Sequence, residues 1–239
     1  MTTVLEATRL AKSYAGEDGG TLAVLADLDL AVARGEFIAI TGASGVGKST
    51  LLHCLGALDL PTAGTVRLDG VDIGTLSTSA LSALRNQRIG FIFQFHHLLR
   101  EFSALENVMM PLLIAGLPDA EARARAAEAL EAMGLTARAA HRPAKLSGGE
   151  QQRVAVARAV VTRPSVVLAD EPSGNLDAHN AERLHDLFAT LGQRFGTAVV
   201  VVTHNPALAL RASRILSLQE GKLVPAEQFA AAAPKRPSD

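Results

Sequence analysis

Phe37-Ile-Ala-Ile-Thr41, followed by Gly42-Ala-Ser-Gly-Val-Gly-Lys48-Ser49, is the stretch that decides the fold. The apolar run closed by Gly42 suits a strand buried on both faces. Residues 42–49 fit G-x-x-x-x-G-K-[ST] at the start of a predicted helix, the context this pattern needs. Glycines such as Gly45 and Gly47 let backbone N–H groups turn inward around phosphate oxygens, and the helix N-terminus adds about half a positive charge. Lys48 is placed to reach the β- and γ-phosphates, and Ser49 to put its hydroxyl on Mg²⁺. A glycine-rich turn that merely caps a helix is the competing reading, and the preceding buried strand argues against it.

Outward from this motif, the strand period returns at residues 28–32, where Leu28, Leu30 and Val32 alternate with Asp27 and Asp29, as in a half-solvated antiparallel strand. Helix is expected over 47–58 and 76–87, and strand over 66–68 and 89–93. From 105 to 134 the period becomes helical, and Pro111, Gly116 and Pro118 are expected to divide it into at least two helices. A third helix is expected over 147–161. Strand and helix then alternate: strand 166–169, helix 178–191, strand 197–202, helix 206–212, and a hairpin turning at Glu220-Gly221. This is an α/β pattern interrupted by a helical insert. The end of the chain, rich in Ala, Pro and charge, is expected to fray.

The composition agrees with a folding chain. The 239 residues are 48% hydrophobic and 20% charged, which excludes a disordered or collagen-like class. At about 150 residues per domain they allow one large domain or a core with a subdomain. Lys and Arg total 23 against 24 for Asp and Glu, a net charge of -1 that speaks against nucleic acid as a partner. The single cysteine, Cys54, has no partner for an intramolecular disulfide, and the opening residues lack the basic start and apolar core of a signal peptide, so a cytoplasmic setting is expected. No apolar run approaches the roughly 18 residues of a membrane span. A membrane role would therefore come through a partner.

Two further segments carry chemistry. Val166-Val-Leu-Ala-Asp170-Glu171 is an apolar strand ending in adjacent carboxylates. Alone, such a pair is commonly a helix cap or a loop. With the phosphate loop upstream it reads as a division of labour, Asp170 holding Mg²⁺ through a water and Glu171 taking the proton from the water that attacks the γ-phosphate. Leu146-Ser147-Gly148-Gly149-Glu150-Gln151 opens the third helix of the insert, so Ser147 and the N–H groups of Gly148 and Gly149 form a second anion-binding helix start, or else a plain serine cap. His96 and His97 have no cysteine or spaced carboxylate nearby to complete a metal site.

In combination these motifs resemble the ATP-binding subunit of ATP-binding cassette (ABC) transporters, over about residues 4–224. The resemblance implies a P-loop NTPase (ABC ATPase) core of the α/β class with an antiparallel β subdomain and an inserted α-helical subdomain. One domain is then expected over 1–225, with its nucleotide-binding core at 1–93 and 162–225, the helical subdomain at about 94–161, and a flexible tail at 226–239. It implies that Gly42, Ser44, Gly45, Gly47, Lys48, Ser49 and Thr50 hold ATP. Gln94 matches the glutamine that senses Mg²⁺ and the attacking water. Gly174-Asn-Leu-Asp177 matches the loop that crosses a dimer interface, and His204 the histidine on the γ-phosphate. Tyr14 matches the aromatic that stacks on adenine. Without that context Tyr14 is a half-exposed ring on an early strand and His204 a strand-end histidine before an Asn-Pro turn.

The resemblance also implies partners. Two subunits lie head to tail as a homodimer, each of two ATP molecules sandwiched between one P-loop and the other subunit's Ser147-Gly148-Gly149. Integral membrane permease subunits dock near Gln94. Phe95-His-His-Leu-Leu99, Ala104-Leu-Glu-Asn-Val108 with Pro111, and His141-Arg-Pro143 are most similar to lipoprotein-releasing (LolD-type) subunits, with MacB-type exporters and the FtsE-type division ATPase as the alternatives. That implies a peripheral position on the cytoplasmic side of the inner membrane. The chain departs from the pattern at Arg100, Ser173 and Asn205, where proline, threonine and an acidic residue are usual.

Overall fold

The computed structural model describes residues 2–16 and 19–226. Two sheets organise it. The first is antiparallel and contains β1 (Thr3–Ala15), β2 (Thr21–Ala33), β4 (Ala63–Leu68) and β5 (Val71–Asp72), in the order β2-β1-β4-β5. The second contains β3 (Phe37–Thr41), β6 (Ile89–Phe93), β7 (Val166–Asp170), β8 (Ala198–Val202), β9 (Arg214–Gln219) and β10 (Lys222–Pro225), in the order β10-β9-β3-β8-β7-β6. Its first five strands by chain order are parallel, and β10 closes the edge antiparallel to β9. Glu220 and Gly221, at φ 48° and 77°, make the turn between them, the left-handed pair that a two-residue hairpin favours.

Side-chain alternation explains why β3 reads as one apolar run. Its odd-numbered side chain Ala39 joins Val167, Ala169, Val199 and Val201 in one core, while Ile38 and Ile40 join Val166, Leu168, Val200 and Val202 in the other. The first core is covered by α3 (Ala104–Ile114), α4 (Asp119–Ala132), α5 (Gly148–Val160) and α6 (Ala178–Phe195); the second by α1 (Lys48–Leu55) and the antiparallel sheet. A strand between two such layers has no polar face. Because β3 is flanked by β8 and β9 from much later in the chain, the loop at its carboxyl end opens into a crevice where the connections diverge.

The expected elements are present with adjusted ends. The helix expected over 47–58 stops at Leu55, because Ala57 turns left-handed (φ 55°) and the Leu58 N–H bonds back to the His53 carbonyl at 2.9 Å; a Cβ on Gly56 would run into the Phe91 ring. The segment 76–87 becomes α2 (Thr78–Arg88). Pro111 does not divide the insert: it lies inside α3, whose start is fixed by a reciprocal cap between Ser103 and Glu106 and whose Val108, Met109 and Leu112 are buried. The break falls at Gly116 and Pro118 alone. The helix expected over 206–212 is regular only as α7 (Pro206–Ala209), since Arg211 and Ala212 bond three residues back and tighten the turn. The early strand expected to carry Tyr14 is β1, and β5 adds a strand that spacing does not reveal. Among the described residues no helix is long and apolar enough to cross a membrane. The tail expected at 226–239 falls, from residue 227 on, outside the described residues.

Candidate functional site

Leaving β3, the chain passes so close to β9 that a Cβ on Gly42 (φ 151°) would lie 2.8 Å from the Leu218 carbonyl oxygen. It then loops through Gly45 (φ 77°) to Gly47 (φ 105°), where a Cβ would meet the Val24 side chain at 2.6 Å. Only glycine fits this path without strain. Gly47 caps α1 in the left-handed conformation and supplies no side-chain acceptor. By contrast α2, α3, α5 and α6 each have a capping side chain, from Ser77, Ser103, Ser147 and Asp177, and α4, which also lacks one, carries Asp119 and Glu121 in its first turn where α1 has no acidic residue. The first N–H groups of α1 therefore await an external acceptor, and the helix dipole makes an anion the favoured one. Lys48 Nζ folds back onto the carbonyl oxygens of Gly42 and Ala43 at 3.0 and 2.8 Å, across the mouth of the loop.

A cleft of about 460 Å³ lies in front of this loop, and Ser44, Gly45, Gly47, Lys48, Ser49 and Thr50 line one wall of it. Gln94, Asp170 and Glu171 line the other. The backbone of β7 puts Asp170 at the strand end, beside Phe93 of β6 and Val202 of β8. Glu171 follows at φ 43° and is held from every side: its N–H donates to the Val202 carbonyl at 2.9 Å, and its carboxylate accepts from Thr203 Oγ1 at 3.1 Å and from the His204 N–H at 3.0 Å. His204 Nδ1 lies 2.8 Å from the same carboxylate. The His204 ring is exposed and opens onto the adjoining recess beside Thr41 and Gly42. Gln94 exchanges two hydrogen bonds with Asn175, Nε2 to Oδ1 at 3.2 Å and Asn175 Nδ2 to the Gln94 carbonyl at 3.1 Å.

The remaining predicted residues lie away from this cleft. Ser147 caps α5 in a reciprocal box, its Oγ accepting from the Glu150 N–H at 3.2 Å while Glu150 Oε2 accepts from the Ser147 N–H at 2.7 Å. These bonds and Arg138 draw the Glu150 carboxyl down to about 2. Gly148 faces open space, whereas a Cβ on Gly149 would collide with the Asn180 side chain. Asn180 is itself held by Asp177, at 2.9 Å through its N–H and 2.7 Å through its amide. The start of α5 and Asp177 thus form one surface outside the lining of the P-loop cleft, joined to it through the Asn175–Gln94 pair. Tyr14 stands on β1, half exposed, its hydroxyl donating to Asp59 Oδ2 at 2.9 Å.

The chemistry of the cleft fits the groups the motif implies. Ser49, Gln94 and Asp170 offer hard oxygen donors of the kind Mg²⁺ selects, and the uncapped N–H groups around Lys48 suit phosphate oxygens. The sequence reading missed Thr203 and its bond to Glu171. It also missed Gln152 and Arg158 of α5, which grip the segment after Gln94: Arg158 donates to the His97 and His96 carbonyls at 2.7 and 2.9 Å, and Gln152 bonds the His96 ring. A charged residue on the inward face of α5 was the available signal.

The comparisons with known proteins agree. A family model described as ABC transporter matches residues 25–174. The chain is 56% identical over 221 residues to the lipoprotein-releasing system ATP-binding protein LolD of Bordetella pertussis, covering 92% of this chain and 95% of that protein. It is 53% identical over 205 residues to the LolD protein of Bacteroides fragilis, covering 86% and 95%. Among solved structures, the dimeric post-hydrolysis state of the ATP-binding cassette MJ0796 bound to ADP and Pi superposes with a TM-score of 0.83 at 38% identity, covering 92% of this chain and 96% of that one.

Proposed function

The chain belongs to the ABC transporter family, and from that membership we propose that it is the ATP-hydrolysing subunit that powers a lipoprotein-releasing transporter. The observation that carries the ATPase reading is the uncapped α1 behind Lys48, facing Asp170 and Glu171 across one cleft. The cargo reading rests on the LolD relatives, which match the chain over nearly its whole length.

Tyr14 stacks on the adenine, and the loop from Gly42 to Thr50 holds the phosphates. Lys48 exchanges its two backbone carbonyls for the β- and γ-phosphate oxygens, and the N–H groups of α1 take the rest of the charge. Ser49, Gln94 and Asp170 would hold Mg²⁺, which when bound supplies Lewis-acid charge neutralisation of the phosphates. Glu171 accepts the proton of the attacking water. Its left-handed backbone and the bonds from Thr203 and His204 fix the direction of its carboxylate, and His204 turns its exposed ring to the γ-phosphate. Since Ser147, Gly148, Gly149 and Asp177 lie outside the cleft of their own chain, they act on the ATP of a second copy in a head-to-tail homodimer. A γ-phosphate gripped from both sides favours the closed dimer over the open one, and its departure reverses that preference.

The nucleotide-binding core at 1–93 and 162–225 and the helical subdomain at 94–161 form the single working domain. It sits peripherally on the cytoplasmic side of the inner membrane, bound to integral membrane permease subunits through the surface near Gln94. The test is Glu171→Gln, expected to bind ATP, to lose at least about a hundredfold in turnover, and to accumulate as an ATP-bound dimer in size-exclusion chromatography. Normal turnover would remove Glu171 from the role of base. Ser147→Arg is expected to spare ATP binding and abolish turnover. Co-purification of a polytopic partner with lipoprotein release from reconstituted vesicles supports the cargo reading, and a partner complex that hydrolyses ATP without releasing lipoprotein overturns it.

A further inference from the structure

Lys12 and Tyr14 alternate onto one face of β1, and both meet Asp59 in the segment after α1. Lys12 is only 9% exposed; its Nζ donates to Asp59 Oδ1 at 2.6 Å and to the Leu60 carbonyl at 2.9 Å. The other carboxylate oxygen, Oδ2, accepts from the Tyr14 hydroxyl at 2.9 Å. The Lys12 ammonium also lies 4.8 Å from the centre of the Tyr14 ring. Asp59 is tied back to the P-loop helix by its N–H, which bonds the His53 carbonyl at 3.2 Å. The Tyr14 hydroxyl also comes near Thr50, on the wall of the nucleotide cleft.

Burying a lysine carries a desolvation cost, which the bonds to Asp59 and the Leu60 carbonyl offset. Its geometry does something more specific. The ring is pinned at its hydroxyl by Asp59 and covered on one face by the ammonium, within the range of a cation–π contact. One face is left for a flat partner. Without the clamp a half-exposed tyrosine samples several side-chain rotamers, and a base stacking on it must first select one.

We propose that Asp59, acting with Lys12, is a positioning residue for nucleotide binding: it locks the plane of Tyr14 so that a single face is presented to the purine. This rests on Tyr14 being the adenine platform. The charges respond as the clamp requires, the Lys12 bond holding the Asp59 carboxyl below its usual range and the Asp59 bond raising Lys12.

The experiment compares Tyr14→Ala, Tyr14→Phe, Asp59→Ala and the double variant Tyr14→Ala/Asp59→Ala in the full chain, reading KM for ATP, kcat at saturation, and competition by inorganic tripolyphosphate, which has no base. Loss of stacking in Tyr14→Ala is expected to raise KM about 5- to 50-fold. Asp59→Ala is expected to raise KM about 3- to 10-fold with kcat held within about twofold, and to leave tripolyphosphate inhibition unchanged. Tyr14→Phe, which keeps the ring and the fold but loses the hydroxyl anchor, is expected to show a smaller rise of about 2- to 4-fold. The double variant is expected to be no worse than Tyr14→Ala. If Tyr14→Ala leaves KM alone, the adenine platform itself fails. If Tyr14→Ala raises KM but Asp59→Ala and Tyr14→Phe do not, the clamp is overturned while the platform stands. A parallel weakening of tripolyphosphate would place the effect of Asp59 in the P-loop helix and also overturn the clamp.

Discussion

Glu150 offers a direct measure of how firmly the start of α5 is held. Its carboxylate accepts from the Ser147 N–H at 2.7 Å and from Arg138 Nε at 2.8 Å, and its side chain is 18% exposed. Replacement by alanine removes one half of a capping box and the partner of an ion pair. The pull of the carboxyl to about 2 corresponds at face value to about 3 kcal/mol at 1.36 kcal/mol per unit, but solvent reaches the pair and screens it, so about half of that is the usable part. A lost cap by itself costs about 1 kcal/mol. These two figures describe overlapping interactions, and together they give about 1.5–2 kcal/mol for Glu150→Ala. In a chain of 239 residues that lowers Tm by about 3–8 °C. Glu150→Gln keeps the acceptor for Ser147 and loses only the charge, so about half the shift is expected.

The pH dependence separates the two contributions. The folded carboxyl titrates near 2, below its ordinary value of 4.5. Its contribution is therefore fully present above about pH 4.5, and it declines as pH falls towards 2. The Tm gap between the native chain and Glu150→Gln should be constant from pH 7 to 5 and shrink by about two fifths by pH 3.5. Thermal unfolding followed by circular dichroism measures it. A Tm change below 1 °C in both variants, or a gap that does not move with pH, would refute the argument that this carboxylate holds the helix start.

Three more outcomes follow from the geometry. His185 is 3% exposed and lies 3.1 Å through Nε2 from Ser173 Oγ, and burial, with help from Arg211, holds it below the usual imidazole range; it favours the folded state above about pH 6.5 and ceases to as pH falls, so the native chain should lose more Tm from pH 7.5 to 5.5 than His185→Met, and equal slopes would disprove the assignment. Gly149→Ala drives a Cβ into Asn180 and so should uncouple Asp177 from the start of α5, costing at least about tenfold in turnover at saturating ATP while nucleotide binding to the monomer stays intact; a fully active variant would show that the contact is slack. Gly56→Ala pushes into the Phe91 ring and the Leu168 side chain and should destabilise by about 1–3 kcal/mol in denaturant titration, with an unchanged midpoint counting against that packing.

The sequence made the nucleotide cleft legible because its parts are local. A doubly buried strand, a glycine path and a helix start run consecutively from Phe37 to Ser49, and the carboxylates Asp170 and Glu171 end another apolar strand. β1 was much harder to see: bulges between Ala7 and Leu10 and again around Lys12, with Arg9 at φ 46°, break the alternation on which strand reading depends. The contacts that orient the site were hidden for a different reason. Lys12 and Asp59 are 47 positions apart, Gln94 and Asn175 81, and Arg158 and His96 62. No local spacing encodes such pairs, and each involves residue types that are ordinary on a surface. The Asn180 side chain under Gly149 was likewise unreadable, since an asparagine early in an amphipathic helix looks like a solvated position.

Taken together, these long-range contacts form a closed circuit. Gln94 is bonded to Asn175; the same loop ends in Asp177, which holds Asn180 against Gly149 at the start of α5. From there α5 runs back to Gln152 and Arg158, which grip His96 and His97 two and three residues after Gln94. Arg158 is half-buried, and desolvation lowers its pKa, so the carbonyls it meets are the acceptors that make its position tolerable. A displacement of Gln94 is therefore opposed at two ends of the same helix. It has to move α5 as a body or break a partly buried charge-assisted hydrogen bond, and the second costs more than a surface contact would. The residues facing the cleft and those facing outward from Ser147 to Asp177 are thus joined by a continuous set of hydrogen bonds, although they share no pocket. If that surface acts on the nucleotide of a second copy, as proposed above, the hydrogen-bonded path through α5 is the route by which the contents of the cleft would bear on its orientation.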